Sequence, residues 1–231
     1  MQAVILAAGK GTRMGDLCKD TPKPMLKVLG KNLLEHKIDA LPDEVDEIIF
    51  VIGHLGDQIQ KHFGTKHKGR KISYVTLNEI KGTAYALFVA KDLLRGKFLL
   101  MMGDDLYGCE DIKKIIKHDH AVLVKKIDGS TPGGKVMLDK KGHLIKIIED
   151  KKGEIANGLV NTGLYVLTPK IFEYEPVQLP NSKEFGLPQT MVVMAKDFPV
   201  KVVLADFWLN ITAPEDLKLA EAILNKTEPV I

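Results

Sequence analysis

Glycines and a cation stand together just after the first apolar run of the chain. Residues 6–15 read Leu-Ala-Ala-Gly-Lys-Gly-Thr-Arg-Met-Gly, and Arg13 is one of only three arginines. Glycines that follow a buried strand let backbone amides turn toward an anion, as in phosphate-binding loops. The string lacks the Walker A pattern, and its third glycine comes one residue late for a dinucleotide fingerprint. The spacing indicates an anion-binding turn, with a plain glycine-rich turn as the alternative.

A second cation follows between two prolines. Pro22 and Pro24 flank Lys23, and proline restricts both its own backbone and that of the residue before it. An isolated Pro-Lys-Pro would most simply be a rigid turn carrying a solvent-exposed lysine. The occurrence of this turn so soon after the glycine loop favours a functional site.

LAAGKGTRM followed by PKPM resembles the nucleotidyltransferases that make nucleotide sugars from sugar 1-phosphates, such as glucose-1-phosphate thymidylyl- and uridylyltransferases. The resemblance implies that a nucleoside triphosphate, with UTP or dTTP favoured, and a hexose 1-phosphate form a nucleotide sugar and pyrophosphate. The attacking phosphate has a second pKa of about 6, so it needs no general base. Two polyanions must meet, which requires positioning and neutralisation. The resemblance assigns these tasks to Arg13, Lys23 and Mg²⁺.

The metal ligands should be oxygens at the carboxyl edge of the sheet. Gly103-Asp104-Asp105 follows an apolar run and resembles the family's GD(N/D) motif, in which Asp104 matches the metal aspartate. We expect Asp105 to cap the next turn. Residues 208–217, Trp-Leu-Asn-Ile-Thr-Ala-Pro-Glu-Asp-Leu, resemble the family's WxDxGTPEDL stretch, in which Asn210 takes the place of a second aspartate. The resemblance implies that Asn210 is the second ligand through its amide oxygen, with Asp206 as the alternative.

The resemblance places the nucleotide along the glycine loop and a later helix start. Residues 82–87, Gly-Thr-Ala-Tyr-Ala-Leu, resemble the GTAxAL stretch beside base and ribose, although a plain helix start explains them too. In the family a glutamine about five residues before this stretch often reads a pyrimidine, and Leu77 stands at that position. The neighbouring Asn78 or backbone groups would then read the base, and the base itself stays open. The predicted nucleotide-binding residues are Leu6, Ala7, Ala8, Gly9, Gly11, Thr12, Asn78, Gly82 and Thr83.

The acceptor would bind farther along the chain. Residues 149–152, Glu-Asp-Lys-Lys, resemble the EEKP motif, which implies that Asp150 binds sugar hydroxyls and Lys151 the sugar phosphate. A solvated charged turn is the alternative. Asn161 opens Asn-Thr-Gly-Leu-Tyr, which resembles the strand lining the sugar pocket, and a polar side chain in so apolar a strand needs a partner. Gly134 is expected against the sugar ring.

Short apolar runs alternate with amphipathic stretches, which is typical of a parallel sheet covered by helices. From about residue 125 the pattern becomes hairpin-like. We predict a three-layer α/β/α fold with a mostly parallel central sheet and an inserted antiparallel region. The resemblance implies that this fold is the Rossmann-like nucleotidyltransferase fold and that the inserted region binds the sugar. One domain, 1–231, would combine a nucleotide-binding half (about 1–124 with 199–231) and an acceptor-binding region (about 125–198). The predicted helices are 32–41, 57–63, 83–94, 188–196 and 214–224.

Composition excludes several classes of protein. A formal charge of +3, from 33 basic and 30 acidic residues, is too mild to argue for nucleic-acid binding. Two cysteines, Cys18 and Cys109, form no disulfide framework and no zinc motif. No apolar run approaches membrane-spanning length, and we expect no secretory signal, because an apolar strand is predicted from Gln2 without a basic leader before it. We expect a cytoplasmic protein that binds small-molecule substrates and has neither nucleic acid nor a membrane as a partner. Whether the protein forms a homo-oligomer stays open.

Two other functions remain open from the sequence. A cytidylyltransferase acting on phosphocholine or an inositol phosphate would share the glycine loop, although the strand at Asn161 favours a hexose. A catalytically inactive regulatory homologue would be expected to lose Arg13, Lys23 or Asp104, and all three are present.

Overall fold

The computed structural model describes residues 1–150 and 152–226, and a ten-stranded sheet runs through them. The strands are β1 (Gln2–Ala7), β2 (Lys27–Val28), β3 (Lys31–Asn32), β4 (Glu47–Ile52), β5 (Lys66–His67), β6 (Arg70–Thr76), β7 (Phe98–Met102), β8 (Leu106–Tyr107), β9 (Ala121–Ser130), β10 (Gly133–Leu138), β11 (Leu144–Asp150), β12 (Ala156–Leu167), β13 (Val177–Gln178), β14 (Phe185–Gly186), β15 (Lys201–Leu204) and β16 (Trp208–Leu209). The α-helices are α1 (Leu33–Ala40), α2 (Gly56–Phe63), α3 (Thr83–Phe88), α4 (Cys109–Ile115), α5 (Leu187–Met194) and α6 (Pro214–Leu224). Short 3-10 turns lie at Thr12–Cys18, Lys23–Met25, Lys91–Leu93 and Pro169–Glu173.

The centre of the sheet is parallel. β1 lies between β4 and β7, and β6 continues the parallel order beyond β4. β12 runs antiparallel to β7 and joins β10 and β11 to the sheet, while β9 pairs with β12 and with β15. The hairpin-like region therefore extends the central sheet and is not a separate sheet.

Helices cover both faces of this sheet. In β4, Ile48 and Phe50 pack toward α1, α2 and α4, whereas Ile49 and Val51 pack toward α3 and α5. Side chains of a strand alternate between the two faces, so a strand covered on both must be apolar throughout. The three-layer α/β/α prediction is confirmed.

Local signals fix where α1 and α6 begin. Asn32 Oδ1 accepts a hydrogen bond from the Glu35 N–H at 2.8 Å, and Glu35 Oε2 accepts one from the Asn32 N–H at 2.7 Å. This capping box satisfies two backbone donors that a helix start leaves unpaired. α6 begins at Pro214, as predicted, because proline at the first helical position gives up no hydrogen bond.

Two helices differ from the sequence prediction. α3 ends at Phe88 and not at residue 94, because the backbone leaves helical geometry at Ala90 (φ −94°, ψ 0°). α4 is missing from the prediction, since its seven residues bury only Ile112 and Ile115 as apolar side chains, too few for a periodic signal. Within the described residues, no helix has the length and apolarity that a membrane span needs.

Candidate active site

A cleft of about 580 Å³ opens at the carboxyl ends of β1 and β7. Neighbouring parallel strands leave such a crevice, where α/β folds bind ligands. The glycine loop, the end of β7, β12 and the segment from β14 into α5 form its walls. Polar side chains lining it are those of Thr12, Arg13, Lys23, Thr83, Asp104, Asp105, Glu149, Asn161, Thr162, Tyr165, Glu184, Gln189 and Thr212.

The glycine loop turns sharply at Gly11. Its φ of 65° is left-handed, and a Cβ there would lie 2.8 Å from Cys18 Sγ and 3.0 Å from Lys23 Cβ, so glycine is needed. The Met14 N–H donates to the Gly11 carbonyl at 2.8 Å and closes the turn. Arg13 leaves this turn exposed at the cleft, and no acidic side chain of the described chain pairs with it. Its guanidinium is available to an anion.

Lys23 meets Asp104 inside the cleft. Lys23 Nζ donates to Asp104 Oδ2 at 2.6 Å; the lysine side chain is 8% exposed and the aspartate 36%. The Gly103 N–H donates to the Leu6 carbonyl at 2.9 Å, and a Cβ on Gly103 would lie 2.6 Å from that oxygen. Glycine thus lets the end of β7 approach β1, which brings the acidic motif beside the glycine loop and the Pro-Lys-Pro turn.

Asp105 is directed into the floor of the cleft. It is 5% exposed, the Tyr107 hydroxyl donates to its Oδ2 at 3.4 Å, and its Oδ1 has no hydrogen-bond partner within residues 1–150 and 152–226. Burial, followed by the charge of Asp104, raises the pKa of Asp105 to about 8. The prediction that Asp105 caps the next turn is wrong, because its carboxyl is turned inward and accepts from a side chain.

A buried lysine of α1 lies under the same floor. Lys37 is 1% exposed, and its Nζ has no hydrogen-bond partner in the described part of the chain. Burial lowers the pKa of Lys37 to about 8, although the charges of Asp104 and Asp105 oppose this shift. The sequence motifs gave no sign of this third cation, which follows Arg13 and Lys23.

β12 is interrupted by a bulge at the cleft. Its register with β9 shifts between Asn161 and Tyr165, and Gly163 has a φ of 77°. The Gly163 N–H donates to Asn161 Oδ1 at 3.1 Å, and Asn161 Nδ2 donates to the Tyr165 hydroxyl at 2.7 Å. Bulges re-aim side chains beside functional sites. This one holds Asn161 in the cleft wall through both ends of its amide.

The segment before α5 is fixed against the start of α3. A Cβ at Gly82, whose φ is 91°, would lie 2.4 Å from the Phe185 carbonyl oxygen, so a glycine there permits the contact. The Leu187 N–H donates to Thr83 Oγ1 at 3.0 Å. The Thr83 hydroxyl therefore joins two walls of the cleft.

A second link joins α5 to the end of β11. Gln189 Nε2 donates to Glu149 Oε1 at 2.9 Å, and both side chains line the cleft. Glu184 also lines it and is exposed. This wall therefore carries two carboxylates and one amide.

Comparison with known proteins covers almost the whole chain. The family model described as "Nucleotidyl transferase" matches residues 2–226. The chain belongs to this family. The UTP–glucose-1-phosphate uridylyltransferase AglF of Haloferax volcanii is 34% identical over 237 residues, which cover 98% of this chain and 97% of AglF. The bifunctional protein GlmU of Methanocaldococcus jannaschii is 32% identical over 226 residues, 97% of this chain, which spans 54% of GlmU.

The fold of this nucleotidyl transferase also matches a solved structure. A Bacillus anthracis protein provisionally assigned as a glucose-1-phosphate thymidylyltransferase, in complex with sucrose, superposes with a TM-score of 0.85. The match covers 99% of this chain and 96% of the other, at 21% identity. At that identity the likeness shows the fold alone.

The cleft of this nucleotidyl transferase contains most of the residues singled out from the sequence. Those in its lining are Leu6, Ala7, Ala8, Gly9, Gly11, Thr12, Arg13, Lys23, Gly82, Thr83, Asp104 and Asn161. Their binding roles stay predictions. Lys151 lies outside the described residues.

Two predicted binding residues are turned away from the cleft. Asn78 is exposed and absent from the lining, because Leu77 takes the inward position after β6. Asp150 accepts from the N–H groups of Ile155 at 2.8 Å and Glu154 at 2.9 Å, and these bonds lower its pKa. The carboxylate of Asp150 therefore closes the turn that follows β11.

Two others lie next to the lining without being part of it. A Cβ on Gly134 would be 2.9 Å from Ile147 Cγ2 and 3.5 Å from both Asn161 Cβ and Glu149 Oε1, so Gly134 lies directly behind the wall. Asn210 Oδ1 accepts from the hydroxyl of Thr212, and Thr212 is the residue that lines the cleft.

The donor set suits a hard divalent cation that takes only one or two ligands from the protein. Asp104 offers a partly exposed carboxylate, and Asn210 adds an amide oxygen near the lining. In the described chain, no group of three or more His, Cys, Asp or Glu side chains is arranged to hold a metal. Mg²⁺ usually takes one or two protein carboxylates and completes its shell with phosphate and water. The residues present fit that mode of binding.

The sequence reasoning missed Glu149 and Gln189. Glu149 and Asp150 are adjacent in a strand and so face opposite sides. The register of β11 with β10, in which Glu149 pairs with Gly134, decides which of the two lines the cleft. Gln189 belongs to no motif, and nothing in the sequence pairs it with Glu149.

Proposed function

We propose that this chain is a sugar-1-phosphate nucleotidylyltransferase. It joins a nucleoside triphosphate, with UTP or dTTP favoured, to a hexose 1-phosphate, and releases pyrophosphate. The observation that most supports this proposal is the 2.6 Å contact between Lys23 Nζ and Asp104 Oδ2, which lies beside the glycine loop. Arg13 of that loop has no acidic partner among the described residues. The near full-length match to the Haloferax volcanii uridylyltransferase supports the choice of substrates.

The chemistry needs no protein nucleophile. An oxygen of the sugar phosphate attacks the α-phosphorus, and the bond from that phosphorus to the pyrophosphate oxygen breaks. A phosphate monoester with a second pKa of about 6 is already an anion at neutral pH. The described lining of the cleft contains neither histidine nor cysteine, in keeping with a reaction driven by positioning and charge neutralisation.

The chain's cations carry the neutralisation in this proposal. Lys23, held in place by the prolines and Asp104, donates to the α-phosphate, and Arg13 donates to the leaving pyrophosphate. Mg²⁺ held by Asp104, with Asn210 assisting, would supply further neutralisation at the phosphates. Donors already in place cost no reorganisation during the reaction, which is why such contacts matter for rate.

The two substrates occupy different parts of one domain in this proposal. The nucleotide lies along residues 1–124 with 199–231, and the acceptor along 125–198. The first part supplies the glycine loop and Gly82, and the second supplies Glu149, Asn161 and Gln189. In this proposal the reaction takes place in the cytoplasm.

Pyrophosphate release tests the proposal directly. UTP, dTTP, CTP, ATP and GTP are each combined with glucose 1-phosphate, N-acetylglucosamine 1-phosphate, inositol 1-phosphate and phosphocholine in the presence of Mg²⁺. We expect turnover with UTP or dTTP and a hexose 1-phosphate. Turnover confined to CTP with a non-sugar phosphate would instead show a cytidylyltransferase, and a folded protein without turnover on any pair would show an inactive homologue.

A further inference from the structure

A lysine that the proposed chemistry does not use lies under the floor of the cleft. Lys37 is 1% exposed, and its Nζ has no hydrogen-bond partner among residues 1–150 and 152–226. Burying an ammonium group without such a partner opposes folding. Natural sequences break rules of this kind mainly at functional sites. The buried charge of Lys37 is therefore a candidate for a function in the site above it.

The packing of α1 places Lys37 next to two parts of that site. α1 contacts both the Lys23–Met25 turn and β8, the strand that follows the acidic motif at Asp104. His36 Nε2 lies 2.8 Å from the Val28 carbonyl oxygen, which fixes α1 against β2. Burial lowers the pKa of Lys37, and the charge of Asp104 is the largest of those that oppose this shift. The ammonium group and the Asp104 carboxylate therefore interact across the floor.

Asp104 thus interacts with two cations that differ in their access to the cleft. Lys23 Nζ donates to Asp104 Oδ2 at 2.6 Å and lines the cleft, whereas Lys37 is enclosed and absent from the lining. In the proposed function, Lys23 donates to a phosphate and must loosen its bond to Asp104. Separating a close ion pair costs free energy, and the cost is smaller when a second cation stays near the carboxylate.

We propose that Lys37 is a positioning residue that acts through Asp104: its fixed positive charge compensates the carboxylate when Lys23 exchanges Asp104 for a phosphate of the nucleotide. The inference rests on the proposed function and adds a residue to its site. Without the charge of Lys37, Lys23 stays bonded to Asp104 and is less available to an anion. Lys37 itself touches no substrate, because it is buried beneath the floor.

Calorimetric titration of inorganic pyrophosphate and of UTP, without Mg²⁺ and at pH 7, tests this role. We expect Lys37→Met to weaken the binding of both about tenfold, because the exchange of Lys23 becomes more costly. Lys37→Gln is a second neutral variant and should reproduce the loss. Lys61→Met removes the same charge from the exposed face of α2 and should change either affinity by less than about twofold. Wild-type affinities in both Lys37 variants overturn the proposal.

A double-mutant cycle tests whether Lys37 acts through Asp104. In an Asp104→Asn background Lys23 has no carboxylate to leave, so Lys37→Met should then cost less than about threefold in pyrophosphate affinity. The full loss of about tenfold in this background would show that Lys37 acts on the anion directly, and it would refute the positioning role.

Thermal unfolding of Lys37→Met distinguishes positioning from a general structural role. We expect the affinity for pyrophosphate to fall while Tm rises, because residues kept for function often reduce stability. A fall in both would assign the lost affinity to damage of the fold and would overturn the proposal.

Turnover assays keep this inference apart from the proposed function. Pyrophosphate binding that depends on Lys37 supports the inference even where no nucleotide reacts with a sugar phosphate, a result that refutes only the proposed function. Wild-type turnover together with unchanged affinities in the Lys37 variants refutes the inference and leaves the proposed function standing. A wild type that binds neither UTP nor pyrophosphate refutes both.

Discussion

Replacing the buried Lys37 by an apolar side chain should stabilise the protein. Its Nζ is buried without a hydrogen-bond partner among the described residues. Leaving a buried polar group unsatisfied costs about 1–3 kcal/mol. Methionine has a similar length, is apolar and adapts to irregular gaps. We expect Lys37→Met to raise the free energy of unfolding by about 1–3 kcal/mol at pH 7, which is about 2–4 °C in Tm per kcal/mol.

The gain should depend on pH. Burial lowers the pKa of Lys37 from 10.5 to about 8 in the folded protein. Between these values the unfolded state binds more protons, so wild-type stability rises with pH there and falls as pH drops through 8. The variant lacks this contribution. Its advantage over the wild type should be largest below pH 8 and should shrink toward pH 10.

Urea unfolding at pH 7 and 9.5 measures both effects. Trp208 is the only tryptophan, and it lies close enough to Asp105 to influence its pKa, so its fluorescence reports this region. Lys61→Met on the exposed face of α2 is the control and should change stability by less than about 0.5 kcal/mol. If Lys37→Met lost about 3–5 kcal/mol, Lys37 would be a partner in a buried ion pair, and the reasoning would be wrong.

Other variants test the cleft. Lys23→Ala should lower kcat/KM by about 100- to 1000-fold in pyrophosphate release, and near wild-type turnover would remove it from the mechanism. Asp104→Ala should abolish activity at every Mg²⁺ concentration, whereas Asn210→Asp should preserve or raise activity. If Asp104→Ala stayed active and Asn210→Asp lost activity, Asp104 would not be the main metal ligand. Asn161→Ala should raise the KM for the sugar phosphate and not for the nucleotide, and equal rises would place it elsewhere. Asp105→Asn should become increasingly more stable than the wild type as pH rises from 4 to 8, because the raised pKa of Asp105 makes the wild-type native state bind more protons than its unfolded state. Urea unfolding measures this difference in unfolding free energy, and a difference that does not change with pH would contradict the shift.

The sequence by itself determined the layers of the fold and the glycine-loop side of the cleft. Apolar runs such as Glu47–Ile52 are strands because a strand covered on both faces must be apolar throughout. The glycine loop and Asp104 could be found because each belongs to a contiguous motif that follows a strand, and Lys23 because it lies in the Pro-Lys-Pro turn soon after the loop. Parallel strands that end at one sheet edge then bring those motifs together.

Tertiary structure decided what local patterns leave open. The pairing of β11 with β10 put Glu149 in the cleft and Asp150 in the following turn, since adjacent strand residues face opposite ways. Asp105 and Lys37 acquired shifted pKa values only because separate elements bury them together. Gln189 reached Glu149 across 40 residues of chain. Register, burial and long-range contact depend on how elements pack, and no window of sequence contains that information.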